Sequence, residues 1–215
     1  MTDHGAAAGL GVAGKRTVGR RPTRGHGTLE GFIARLRMNE ALRAIPLSLH
    51  GAEILDVGCG SHPIFLLAAP FSRKVGVDQI EPAVGATPPG LELSRLSLNG
   101  AVRLPFPDAS FACVSSLAVI EHLEPAGLPA LLAEIRRVLK PGGRLILTTP
   151  HAFADGILRL LARMRLVSKE EIDEHKSLFR HRQIRDMLAQ AGFPAGKTRV
   201  SGFLMGLNIL AVAEK

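Results

Sequence analysis

Residues 53–60 read Glu-Ile-Leu-Asp-Val-Gly-Cys-Gly, an apolar run that carries one acid and breaks off at two glycines. Ile54, Leu55 and Val57 suit a strand buried on both faces. Asp56 falls where such a strand leaves its sheet, which puts its carboxylate at the rim where open parallel sheets bind ligands. Gly58 and Gly60 remove side chains where backbone amides must approach a ligand closely. Pro63 fits the first turn of a following helix, whose amides favour a carboxylate or a phosphate. Strand, glycine loop and helix together describe a site for a nucleotide-like ligand.

Spacing narrows the ligand. A dinucleotide fingerprint needs G-x-G-x-x-G, and Pro63 stands where its third glycine belongs. The phosphate-cradling string G-x-x-x-x-G-K-[ST] occurs nowhere in the chain. Asp56 beside the loop would repel a phosphate and attract an ammonium group. A second strand, Lys74-Val75-Gly76-Val77-Asp78, ends in another acid, placed to take both hydroxyls of a ribose; Gln79 follows it. The ligand these features imply has a ribose, an amino group and no phosphates, as S-adenosylmethionine does.

Five segments carry a family resemblance: ILDVGCG at 54–60, GVD at 76–78, LPFPDASF at 104–111, VIEHL at 119–123 and EIRRVLKPGGRLILTTP at 134–150. Their content and order resemble the class I S-adenosylmethionine-dependent methyltransferases, in the branch of quinone-biosynthesis and small-molecule ("type 11") enzymes. AQAGF at 189–193 extends the likeness toward the C-terminus. The resemblance implies an α/β, Rossmann-like, doubly wound sheet of seven strands in the order 3-2-1-4-5-7-6, the last strand antiparallel. It also implies a cofactor site at Asp56, Gly58, Cys59, Gly60, Asp78 and Gln79, with Asn99 toward the adenine and Ser116–Leu117 at the methionine end. Three positions depart from the family pattern. His62 replaces a third glycine, Gly100 replaces the acid four residues before Leu104, and Ala112 replaces an aspartate after Phe111.

Apolar periodicity gives strands near 53–57, 74–77, 91–96, 111–116, 143–149, 197–202 and 207–213. Helices fall near 61–69, 125–139 and 182–191, an alternation that makes a parallel sheet covered on both faces. Lys140-Pro141-Gly142-Gly143 is expected to stop a helix before the fifth strand. Phe32, Leu36, Leu42 and Ile45 recur at helical spacing after Thr28, a candidate N-cap, so a leading helix is expected to precede the sheet. Residues 28–215 are thus expected to form the domain, with 151–180 inserted as a lid over the substrate.

The 215 residues carry a net charge of +8. Half of that excess lies in residues 1–27, where Lys15, Arg16, Arg20, Arg21 and Arg24 face only Asp3. That segment is rich in Gly and Ala without apolar periodicity and reads as a disordered basic tail. Its charge offers a contact for nucleic acid. No apolar run follows Arg20-Arg21, which argues against a twin-arginine export signal. No run of 18 apolar residues marks a membrane span. Two cysteines, Cys59 and Cys113, suit a reducing cytoplasm, and Cys59 reads as a small residue filling the loop rather than a nucleophile. No cluster of acids and histidines has metal-ligand spacing, so no metal is expected.

Methyl transfer needs alignment of the acceptor with the methyl group, and a base only where the acceptor loses a proton. Three histidines compete for that role: His122 after the fourth strand, His151 after the fifth, and His175 beside Glu174 before the last long helix. In the lid, Ile157, Leu158, Leu161, Met164 and Leu166 alternate with Arg159, Arg163 and Arg165. Residues 157–166 thus read as a helix packed on the sheet edge or as a peripheral membrane contact. The expected activity is methyl transfer to oxygen or nitrogen of a small-molecule acceptor, such as a glycan precursor or a lipid-linked metabolite. Two rivals remain: an RNA methyltransferase guided by residues 1–27, and a cofactor-binding module without catalysis. The oligomeric state has no sequence signal.

Overall fold

A computed structural model describes residues 28–82, 87–99, 103–152, 154 and 177–215, with side chains from residue 31 onward. Helix α1 (Thr28–Arg43) leads into β1 (Glu53–Val57), α2 (Ile64–Ala68), β2 (Arg73–Asp78), β3 (Leu91–Arg95) and β4 (Phe111–Leu117). Helix α3 (Leu128–Val138), β5 (Leu139–Pro150), α4 (His181–Gln190), β6 (Thr198–Phe203) and β7 (Asn208–Glu214) complete the chain. The seven strands form one sheet in the order β3-β2-β1-β4-β5-β7-β6. β7 runs antiparallel between β5 and β6, and the remaining pairs are parallel. The expected Rossmann-like architecture and strand order are thus observed.

Alternation along the strands distributes the core between two faces. Leu55, Val57, Val114, Leu145 and Leu147 pack with Leu131 and Ile135 of α3 and Ile184 and Leu188 of α4. Ile54, Cys113 and Ile146, each one residue out of phase, pack instead with Ala41 of α1 and Phe65 and Leu66 of α2. α3 is the better buried helix, because Leu128, Leu131, Leu132, Ile135 and Val138 form one stripe.

Local details depart from expectation. Helix α2 spans five residues, and Pro63 precedes it as its N-cap rather than lying within its first turn. The stretch expected as a helix from 125 opens with a 3-10 turn at Pro125–Gly127. Lys140–Gly143 do not separate helix from strand: β5 starts at Leu139, directly after α3, and these residues bulge within it. Phe111 pairs with Leu139 but Cys113 pairs with Arg144, so Ala112 faces the whole bulge. Gly142 takes a positive φ of 74° there, and a Cβ on Gly143 would lie 2.8 Å from the Lys140 carbonyl oxygen. In α1, Thr28 is the first helical residue rather than the cap. Phe32 is exposed, and Ala41 and Ile45 supply the buried contacts at that helix's end. The tail (1–27), Gly100, His175 and the candidate membrane face (157–166) lie outside the described residues, as does most of the expected lid. Among the described residues no helix is long and apolar enough to cross a membrane.

Candidate functional site

The parallel strands deliver Val57, Asp78, Leu117 and Pro150 to one rim of the sheet, and antiparallel β7 brings Asn208 there from its start. At this rim the glycine loop is tied to β2. The amides of Gly58 and Cys59 donate to the Val77 carbonyl at 2.8 and 3.3 Å. The Gly60 amide donates to Asp78 Oδ2 at 2.7 Å, while Asp78 Oδ1 accepts the Ile80 amide at 2.9 Å. A carboxylate oxygen can accept two hydrogen bonds, so each Asp78 oxygen keeps capacity for a ligand hydroxyl.

Gly58 and Gly60 differ in their surroundings. Both have positive φ, 84° and 70°. A Cβ on Gly58 would stand 2.3 Å from Val119 Cγ2, so that glycine admits the chain after β4 rather than a ligand. A Cβ on Gly60 would meet nothing within 4 Å among the described residues. Only Gly60 therefore offers the open approach expected of both. His62 is exposed and lies outside the left-handed region, so the missing third glycine costs this loop no backbone strain. The Cys59 thiol is pushed well above its usual range, chiefly by burial and also by Asp56 and Asp78. It stays a neutral thiol, which fits its reading as filler. Gly76 makes room for it: a Cβ there would lie 2.7 Å from Cys59 Sγ.

Asp56 is not open at the rim. It is a penultimate strand residue, 3% exposed, opposite Ser115 in register. The Ser115 hydroxyl donates to Asp56 Oδ1 at 2.7 Å. Burial lifts the Asp56 carboxyl to about 7; the Ser115 bond opposes the rise and Asp78 adds to it. Gln79 and Asn99 do come together beside Asp78, with Asn99 Nδ2 3.5 Å from Gln79 Oε1. Arg95 Nε donates to the Gln79 carbonyl at 3.1 Å. Leu117, half-buried, closes β4 before the positive-φ residue Ala118.

A second group of polar residues lies beyond β4 and β5. Glu121 is 1% exposed and accepts the Thr149 hydroxyl at 3.1 Å. Burial raises its pKa, countered by the charges of Arg37 and His122. Arg37 Nε, from α1, donates to Asn208 Oδ1 at 2.9 Å. His151 is half-buried, and its ring centroid is 5.0 Å from that of His181. Desolvation, then His181 and Arg180, lower the His151 pKa, which keeps the imidazole neutral near pH 7. His122, half-buried, ends the 3-10 turn after β4.

Sequence reasoning missed Glu121, Arg37, Asn208 and His181. Glu121 lies inside the quoted VIEHL segment, and Asn208 is the polar opening residue of an apolar strand; both were available signals. Nothing local marks Arg37, which meets Asn208 across 171 residues. The LPFPDASF segment proves to be clamped by α3. Arg137 donates to the carbonyls of Leu104 and Phe106 and to Asp108, and Glu134 accepts the Leu104 amide.

The donor set fits the expected cofactor. Asp78 offers a paired acceptor suited to a diol, Gly60 leaves an open approach, and the Asp56 carboxyl lies buried with a raised pKa, a state that a nearby ammonium would relieve.

The profile of the family described as methyltransferase domain matches residues 29–195. Demethylmenaquinone methyltransferase of Symbiobacterium thermophilum is 42% identical over 106 residues, 45% of this chain and 41% of that protein. Nocamycin O-methyltransferase of Saccharothrix syringae is 37% identical over 109 residues, 46% of this chain and 38% of its own. The chain thus spans well under two thirds of these relatives' length. An S-adenosylmethionine-dependent methyltransferase from Mesorhizobium loti shares the fold with a TM-score of 0.62 at 18% identity, over 83% of this chain and 98% of the other. So does the 1,6-didemethyltoxoflavin-N1-methyltransferase of Burkholderia thailandensis, solved with bound 1,6-didemethyltoxoflavin and S-adenosylhomocysteine. Its TM-score is 0.62 at 16% identity, over 87% and 81% of the two chains. On this sheet and this match, the chain belongs to the methyltransferase-domain family, as a class I member that takes S-adenosylmethionine as its cofactor.

Proposed function

We propose that the chain catalyses methyl transfer from S-adenosylmethionine to an oxygen or nitrogen of a small-molecule acceptor, a glycan precursor or a lipid-linked metabolite being the class in view. The carrying observation is His151: a half-buried imidazole at the end of β5, held neutral by burial and by His181, on the same rim as Asp78. The bound cofactor supplies an already activated methyl group, so the protein's task is alignment and removal of one proton. In this reading Asp78 holds the ribose hydroxyls, with Gln79 and Asn99 beside it. Gly60 leaves the approach open, Asp56 attracts the amino group from below, and the end of β4 at Leu117 faces the methionine portion. His151 accepts the acceptor's proton. Of its two rivals for that role, His122 ends the 3-10 turn after β4 and His175 lies outside the described residues.

The relatives named for O-methylation and for N1-methylation of small molecules support this acceptor class. The RNA reading rests on residues 1–27, outside the described residues, and no described feature favours it.

The test is a panel of hydroxyl- and amine-bearing acceptors incubated with methyl-labelled S-adenosylmethionine. Label is expected in at least one acceptor, with turnover lowered about 10²–10⁴-fold in His151→Ala and cofactor affinity unchanged. Equal turnover in wild type and His151→Ala would remove His151 from the chemistry. Cofactor binding without label in any acceptor would favour the non-catalytic module.

A further inference from the structure

The outer part of the sheet holds a concavity whose floor starts at Leu210, two residues along β7 from Asn208 at the rim, and runs away from Asp78 and His151. A groove of about 780 Å³ lies between the end of α1 and strands β6 and β7. It arises because α1 ends at Arg43, leaving Leu210 and Val212 of β7 half-buried on that face. These two side chains alternate with Ile209, Ala211 and Ala213, which pack into the core on the opposite face. Leu210, Val212 and Pro46 make an apolar floor.

The walls are cationic. Among the described residues, Arg43, Arg144, Arg185, Lys197 and Arg199 line the groove with a single acid, Glu40. Glu40 pairs with Arg43 at 2.6 Å, and Lys197 pairs with Glu214. Arg144 donates to the Ala44 carbonyl and faces Glu214 across the β5–β7 register, while Arg185 donates to the neutral Val200 carbonyl. Arg199 is exposed and stands opposite Val212 in the β6–β7 register. Guanidinium groups over an apolar floor suit a phosphate attached to an apolar body, because the planar fork pairs with phosphate oxygens. The volume falls within the ~300–1,000 Å³ typical of small-molecule sites. Among the described residues no aromatic lines the groove, and the chain contains neither Trp nor Tyr, so bases of a nucleic-acid strand find no stacking partner there.

We propose that this groove binds a small organic phosphate with an apolar tail, its phosphate held by Arg199 and neighbouring arginines and its tail lying along Leu210 and Val212. The charged wall stands apart from the cofactor rim, since Arg144 lies at the middle of β5, about 20 Å along the strand from Pro150 at its end.

The test is calorimetric titration of the full chain with octyl phosphate below its micellar concentration, inorganic phosphate, and a twelve-residue thymidine oligonucleotide. Octyl phosphate is expected to bind about tenfold or more tighter than inorganic phosphate, and Arg199→Glu to weaken it by about tenfold or more, the loss of one charged hydrogen-bonding partner. S-adenosylmethionine affinity is expected to stay unchanged in Arg199→Glu, which confirms that the variant is folded. The proposal fails if Arg199→Glu binds octyl phosphate as tightly as wild type, or if the octyl chain adds nothing over inorganic phosphate. It also fails if the oligonucleotide binds more tightly than octyl phosphate and loses that affinity in the variant.

Discussion

Gly58 and Gly60 are two residues apart, and both have left-handed backbone, yet their neighbours assign them different roles. Gly58→Ala drives a methyl group into Val119, so it is expected to destabilise the fold by about 2 kcal/mol or more. Gly60→Ala meets no atom of the described residues and is expected to cost only the ~1–2 kcal/mol of a left-handed alanine, with a disproportionate loss of S-adenosylmethionine affinity. Urea melts and calorimetric titration of the two variants separate these effects. Asp56 yields a pH prediction. In the unfolded chain its pKa is near the ordinary ~4, whereas in the folded protein burial holds it at about 7. Between these values the folded state keeps a proton that the unfolded state has released. The stability of the ligand-free protein is therefore expected to fall as pH rises from about 4 to about 7. Asp56→Asn, neutral throughout, is expected to flatten that slope in urea melts across the range. The identities of both glycines and both acids were legible in the sequence, because each type is dictated by local backbone or by charge. Which glycine accommodates Val119, and that Asp56 is sealed against Ser115, were not, since the partners lie about 60 residues away.

Elements were legible where their pattern was self-contained. β1 and β2 carry short apolar runs bounded by turns, and α3 carries an apolar stripe, so each appeared where expected. α1 was harder, because its amphipathic pattern is weak and Phe32 remains exposed among the described residues. Truncation is expected to report the difference. Ile135→Ala, fully buried in α3, should cost about 2–5 kcal/mol, and Leu42→Ala, half-buried in α1, about 1 kcal/mol. The Lys140–Gly143 bulge shows the limit of reading Gly and Pro as punctuation. A Pro-Gly-Gly string marks a backbone irregularity, but neighbouring strands decide whether it ends an element or bulges within one. The clamp between α3 and residues 104–108 supplies a further prediction at this scale. Arg137→Ala removes a partner from two carbonyls and two carboxylates, and a loss of about 1–3 kcal/mol in thermal or urea unfolding is expected.

For the whole molecule, the cofactor and the fold are linked by mass action. S-adenosylmethionine at about a hundred times its Kd is expected to stabilise the protein by about 2.7 kcal/mol, or roughly 5–10 °C in Tm for a chain of this size. Asp78→Ala removes the acceptor of the Gly60 amide and the expected ribose ligand together, so most of that thermal shift is expected to vanish at the same cofactor concentration. A full shift in Asp78→Ala would show that the ribose is held elsewhere. The sequence by itself determined the order of strands and helices, the glycine loop, the acids within β1 and at the end of β2, and through its motifs the family and cofactor. These features are written in windows of a few residues, where apolar period, backbone freedom and charge act locally. Only the tertiary structure decided that Asp78 braces the loop through the Gly60 amide, that Glu121 is buried against Thr149, and that His151 stands beside His181. It alone brought Arg37 to Asn208 and left β6 and β7 with an arginine-lined groove. Each of these joins residues on different strands or helices, and their chemistry comes from burial and from partners that exist only once the sheet has assembled.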